Sequence, residues 1–433
     1  MNRTIHRAEI LHFFENPKTA DSVEKSYQYF EDGGLVVLDG TIIDCLPFEI
    51  ALERHPEAMV QEHPNAILMP GFIDTHIHYP QTQMVAAYGE QLLEWLNTYT
   101  FPTERQFADS EHASKISNVF LDELLRAGTT TALVFGTVHP ESIDAFFQAA
   151  QERNLRMIAG KVMMNRNAPE YLLDTSETGY QQSKELIERW HGVDRLQYAV
   201  TPRFAPTSTR EQLDTAGALL QEFPDVYMHT HLSENKAEIE WVKGLFPECS
   251  SYLDVYQASG LLGRRSVFAH CIHLEDEEWS MLSSANSGIA FCPTSNLFLG
   301  SGLFDLNRAV QENIHVGMGT DIGAGTSFSI LQTLNEAYKT QQLRGDSLSP
   351  FYALYLATLG GAETLDIADC VGNFMPNKEA DFIVLDKEAT PLLKFRLSQC
   401  TSLFEELFVL MMLGDDRCVR ETWVLGEQAY VRS

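Results

Sequence analysis

The run AILMPGFIDTHIH (66–78) is apolar and rich in strand-favouring residues until it ends in two histidines, and it opens a rhythm that continues to about residue 325. A short apolar run, a polar loop and a longer stretch with helical spacing follow one another repeatedly. The seven further runs are TTTALVFGTVH (129–139), RMIAGKVMMNR (156–166), LQYAVTPRF (196–204), VYMHTHLSE (226–234), SVFAHCIHL (266–274), SGIAFCPTSN (287–296) and HVGMGTDIGAG (315–325). Segments between them, among them 110–126, 181–191, 209–223 and 327–344, read as helices. Eight such units predict a (β/α)8 barrel with insertions after the first and fifth strands. A doubly wound sheet is the competing architecture, but it would normally carry a Gly-rich phosphate turn after its first strand, and none is present.

The flanks follow another pattern. Residues 1–66 hold short β-like runs around an Asp39-Gly40 turn, GLVVLDGTIID, and the other end holds EADFIVLD (379–386) and ETWVLGEQAYV (421–431) around Gly426. Neither end alone can bury a good core. The fold class expected is therefore α/β: a TIM-like (β/α)8 barrel over 67–370, with a small β-sandwich domain formed by 1–66 and 371–433 together.

With 433 residues, 44% apolar and 21% charged, the chain can form sizeable cores, and wholesale disorder is excluded. Lys and Arg total 31 against 60 for Asp and Glu, and the resulting charge of −29 repels phosphate backbones and anionic bilayers. Neither a nucleic acid polymer nor a membrane is an expected partner. No apolar run approaches the roughly 18 residues of a spanning helix, and charges interrupt the first residues before a signal-peptide core can form. A cytoplasmic protein is expected. The seven cysteines make an odd total without a Cys-x-x-Cys pair, so neither a disulfide framework nor a thiolate zinc cluster is suggested.

Active groups of such barrels come from the C-terminal ends of the strands. The first strand ends in His76-Ile77-His78, and side-chain alternation turns both imidazoles into the barrel mouth. A lone His-x-His also arises by chance on a half-buried strand. Here the other strands add His231 on the fifth, His270 on the sixth and Asp321 on the eighth. Three nitrogens and a carboxylate with one position left for water suit a catalytic zinc. His229 and His273 compete for these roles, but His229 lies one layer deeper and His273 past the strand end. Glu234, three residues after His231, can reach a water held there; its alternative is a cap on the following helix. The fourth strand ends in Thr201-Pro202-Arg203-Phe204, with no Lys, Glu or Cys to bridge a second metal, so one zinc ion per chain is expected. Arg203 could instead form a barrel-mouth salt bridge. The aromatic-rich segment 88–109 reads as a lid or subunit contact, or as ordinary helix packing.

PGFIDTHIHYPQ (70–81), TPRF (201–204), HTHLSEN (229–235), FAH (268–270), GMGTDIGAG (317–325) and the terminal GNFMPNKEADFIVLD (372–386) resemble the amidohydrolase superfamily over nearly the whole chain. Gln81, Arg203-Phe204 and the His231 to Glu234 set narrow the resemblance to its guanine-deaminating branch. It implies that His76, His78, His231 and Asp321 hold the zinc. His270 would lie beside the activated water, and Gln81, Arg203, the Phe204 backbone, His231, Glu234 and Asp321 would meet the purine. Glu234, Asp321 and His270 would be the catalytic groups, converting guanine and water to xanthine and ammonia in purine catabolism. Barrels of this kind commonly pair, so a homodimer is the expected assembly. A sister enzyme acting on an oxidised guanine or a triazine would keep the same metal set. A lactam or amide-ring hydrolase would want a bridged metal pair, which the fourth strand opposes. A scaffold that had lost catalysis would be expected to lack ligands or Glu234.

Overall fold

The structure is a computed structural model that describes residues 3–88 and 92–433. The run 66–78 is two strands in two different sheets. Met59–Pro70 belongs to the small domain, Phe72–His78 begins the barrel, and the chain crosses between them at Gly71. A Cβ at Gly71 would lie 2.2 Å from the Thr130 hydroxyl, so only glycine lets the backbone pass so close to the second barrel strand.

The barrel strands after Phe72–His78 are Thr129–Phe135, Arg156–Gly160 with its continuation Val162–Met163, Gln197–Pro202, Tyr227–Leu232, Ser266–His270, Gly288–Phe291 and Val316–Met318. Neighbours pair in parallel and in chain order, as right-handed βα connections require. The seam between last and first strands is closed by Thr75 Oγ1 donating to the Met318 carbonyl (3.0 Å) and Asp321 N donating to the His76 carbonyl (2.9 Å). Ile73, Leu133, Ile158, Tyr227 and Val267 fill the interior below the mouth, so the barrel is a packed core with one open end. Around it the helices bury apolar stripes; in Ser110–Arg126, Ile116, Phe120, Leu124 and their neighbours face inward. Aspartate Asp109 caps that helix, its side chain accepting from Glu111 N.

Both expected insertions are present. After the first strand the chain makes a tight turn at Tyr79–Met84 and then a run of short helical pieces, Leu92–Trp95, the wider π-helical Leu96–Thr100, Phe101–Glu104 and Arg105–Ala108. Residues 89–91 of the aromatic-rich segment lie outside the described residues. After the fifth strand come the helices Lys236–Leu245 and Tyr252–Ala258.

Both chain ends build the second domain. Its strands hydrogen-bond into one seven-stranded mixed sheet, bulged in its long strands. Its order is Glu427–Val431, Val419–Val424, Phe382–Asp386, Met59–Pro70, Arg3–Phe13, Tyr27–Leu38, Thr41–Pro47. The Asp39-Gly40 hairpin turn has both residues at positive φ (48° and 79°), as does Leu425-Gly426 (49° and 69°), the geometry that matches the twist of the strands they join. The two turns meet, with Ala380 N donating to the Gly40 carbonyl and Gly426 N donating to the Ala380 carbonyl. Among the described residues, no helix is long and apolar enough to cross a membrane.

Candidate active site

The strand ends at the barrel mouth are bent by residues in the left-handed region. Ser233 (φ 49°), His270 (71°), Cys271 (52°) and Asp321 (52°) all lie there without being glycine. Each such conformation costs of order 1 kcal/mol or more and persists where surrounding bonds hold it. Here Cys271 N donates to the Leu232 carbonyl at 2.9 Å. Thr320, just before Asp321, is fixed by buried Asp74, which accepts from Thr320 N (3.1 Å) and its hydroxyl (2.5 Å).

Donor atoms of His76, His78 and Asp321 converge at this mouth, with His231 alongside. His76 Nε2 and His78 Nε2 are each 3.2 Å from Asp321 Oδ1 and 3.2 Å from each other, and His231 Nε2 is 3.3 Å from His78 Nε2. Ligands about 2.0 Å from a tetrahedral metal ion lie roughly 3.3 Å apart. For His76 and His231 the spacing fits a shared cation better than hydrogen bonding, because a neutral imidazole has one N–H and their Nδ1 atoms already face other partners. His231 Nδ1 donates to the Arg203 carbonyl (2.7 Å), and His76 Nδ1 meets His229 Nε2 (2.7 Å). His229 is thus the orienting partner of a donor, in the deeper layer expected for it. Burial pushes the imidazoles of His76 and His231 below their usual range and that of His78 down to about 3, leaving lone pairs free for a metal. Burial alone would raise the Asp321 carboxyl; the surrounding His76, His78 and His270 overcome it and hold the group ionised.

His270 stands beside this set. Its Nδ1 donates to Asn296 Oδ1 (2.8 Å), so Nε2 faces Glu234 Oε2 at 3.6 Å and Asp321 Oδ2 at 3.8 Å. Glu234 is 3% exposed, and burial, with Asp321 nearby, pushes its carboxyl up to about 8. Its Oε1 accepts from the Ser301 hydroxyl (3.0 Å). His273 holds that loop by donating to the Ser301 carbonyl (2.8 Å). Helix capping is not the role of Glu234, since Asn235 and Glu238 form the capping box of Lys236–Leu245.

The cavity over these groups is also lined by Gln81, Arg203 and Phe204, and by apolar Trp95, Leu96, Leu299 and Ala324. All the expected residues therefore meet at or beside one mouth. Gln81 fits because position 323 is glycine: at φ 126° its Cβ would lie 1.8 Å from Gln81 Oε1. Arg203 lines the cavity and also forms the barrel-mouth salt bridge considered for it. Its partner is the fully buried Glu104, which lies outside the sequence motifs. Arg203 Nη1 contacts Glu104 Oε1 (2.9 Å) and Oε2 (2.8 Å), and Gln81 Nε2 donates to Oε1 at 3.4 Å. No motif marks this glutamate; only the aromatic density of its segment hints at burial.

A profile of the Amidohydrolase family matches residues 67–429. A guanine deaminase of Escherichia coli is 56% identical over 97% of both chains. Among solved structures, an E. coli guanine deaminase superposes over 100% of both chains at 55% identity with a TM-score of 0.97. A guanine deaminase from C. acetobutylicum with guanine bound in its active site covers 99% of this chain and 100% of its own, at 29% identity and a TM-score of 0.90.

Proposed function

We propose, from the premise that this chain belongs to the amidohydrolase family, that it hydrolyses guanine to xanthine and ammonia. The observation that carries the reading is the meeting, at one barrel-mouth cavity, of a His/Asp cluster able to hold a cation, a buried glutamate and an arginine offering only donors. The identity of 56% to a guanine deaminase over nearly the whole length supports it.

His76, His78, His231 and Asp321 would hold one zinc, since Arg203 replaces any bridging group on the fourth strand. When bound, zinc is a Lewis acid that makes water nucleophilic near pH 7. The protein supplies the rest. Arg203 faces the 6-oxygen, because a guanidinium can only donate, and opposes the amino group that adenine carries there. Gln81 and the Phe204 backbone complete the polar edge. As water oxygen adds to C2, Glu234 in its acid form gives a proton to N3. Asp321 takes one from the attacking water and, with His270 orienting it, passes it to the departing amine. The C2–N bond breaks and ammonia leaves; the C2 hydroxyl gives its proton to Glu234, restoring the acid form, while N3 keeps its proton in xanthine.

Seven free cysteines suit a reducing compartment, the cytoplasm. Apolar side chains exposed on helices Pro391–Leu397 and Leu403–Leu413, Phe395 at 65% and Phe404 at 49%, support a homodimer, which the mass in solution tests. The decisive assay compares ammonia release from guanine, guanosine, adenine and an oxidised guanine. Guanine is expected to dominate, by about 10⁴ or more over adenine; faster turnover of another base would reassign the substrate.

A further inference from the structure

Resting on the guanine reading, we infer that Glu104 is the positioning residue of base recognition, the single carboxylate that aims both Arg203 and Gln81. It comes from outside the barrel, at the end of Phe101–Glu104 in the insertion after the first strand, yet it is fully buried behind the mouth. Both its oxygens are taken by Arg203 Nη1, at 2.9 and 2.8 Å, and Oε1 also accepts from Gln81 Nε2 at 3.4 Å.

An ionised carboxylate accepts and never donates. Whatever meets it must therefore present N–H groups, and that sets the polarity of both neighbours. For Arg203 it fixes the guanidinium plane. The hydrogen bonds this side chain makes among the described residues run through Nη1, which commits one corner of the fork to Glu104 and leaves the other N–H groups for a ligand oxygen. Phe101, three residues before Glu104, lies 5.5 Å from the guanidinium carbon and confines it from one face. For Gln81 it decides which way the amide faces: Nε2 toward Glu104, and Oε1 into the space left by Gly323. The base then meets a donor from arginine and an acceptor from glutamine, both held before it arrives.

Charge makes the same point. Arg203 is 2% exposed beside a cation site. A buried guanidinium stripped of its counter-charge would be strongly unfavourable and would turn toward any other acceptor. Burial pushes the Glu104 carboxyl up, while Arg203 and Gln81 pull it back.

The test uses a substrate-based comparison. Guanine and 2-aminopurine carry the same 2-amino group, but the second lacks the 6-oxygen and the N1 proton. Wild type and Glu104→Gln are assayed on both, with 2-aminopurine as substrate or as competitive inhibitor, and metal content is measured alongside. The expected result is a loss of about 10- to 100-fold in kcat/KM for guanine, mostly through KM. The 2-aminopurine constant should move less than about threefold and the metal content stay unchanged. Glu104→Asp keeps the charge one methylene short and should restore part of the guanine loss; it also carries the comparison if Glu104→Gln does not fold. Equal losses on both bases would overturn the inference, marking Glu104 as a structural residue. Wild type that releases no ammonia from guanine would overturn the functional reading instead.

Discussion

Burial first and the Asp321 charge second push the Glu234 carboxyl up to about 8. Glu234→Gln preserves size and the contact with Ser301 but cannot give up a proton. Metal content should stay at the wild-type level while kcat falls by about 10² or more. An unchanged kcat would remove Glu234 from the proton path. Substituting His76, His78, His231 or Asp321 by Ala should release the metal and abolish turnover together, and metal analysis of the active wild type should give one ion per chain. Two ions would overturn the mononuclear reading. These residues were legible because strand alternation and strand ends fix where a side chain points, whatever lies around the barrel. Glu104 was not, since its direction depends on how a run of short helical turns docks, and docking leaves no periodic trace in sequence.

At the scale of elements, the loop after the last barrel strand shapes the pocket by what it omits. Gly323→Ala would place a methyl on Gln81 at a φ of 126°, so the loop or Gln81 must move. kcat/KM for guanine should fall at least tenfold with metal retained; wild-type kinetics would show that Gln81 has room to spare. In the small sheet, burial, with His63 beside it, pushes His6 down to about 3, and burial pushes His12 to about 4. Both lie below the unfolded value near 6.5, so the folded state binds fewer protons. Their stabilisation is full above pH 6.5 and is lost as pH falls toward 3, by about 1.4 kcal/mol per pH unit for each group. The urea midpoint should therefore drop between pH 7 and pH 5, and His6→Gln should flatten that drop. A wild-type midpoint independent of pH would contradict it. Barrel strands and long helices were readable from period alone, and Ser110–Arg126 has the bounds expected of it. The break at Gly71 was not, because the apolar run continues unchanged through Pro70 and only the far sheet partners reveal the switch.

For the molecule as a whole, the sheet and the barrel are bound by paired charges as well as apolar contact. Arg156 and Arg195 of the barrel reach Glu379 and Asp381, and Thr422 Oγ1 donates to the Leu125 carbonyl at 2.7 Å. A chain ending at Asp415 loses two of the seven strands and no residue of the site, yet it should lose cooperative unfolding and activity. Full activity would mean that the barrel stands alone. That both ends share one domain was readable from the size of each, since neither could bury a core, whereas the strand order could not be read, because sheet pairing is decided by partners remote in sequence. Pro70 pairs with Phe382, and Ala66 with Asp386. More than 300 residues separate these partners, and a ribosome adding about 5 to 20 residues per second needs roughly 15 to 60 s to bridge them. Over that interval Ile67, Leu68 and Met69 lack the strand that pairs with them in the finished sheet, and an unpaired apolar edge is a template for mispairing. The step that closes the active protein's last sheet is thus also the one that ends its exposure to aggregation during synthesis.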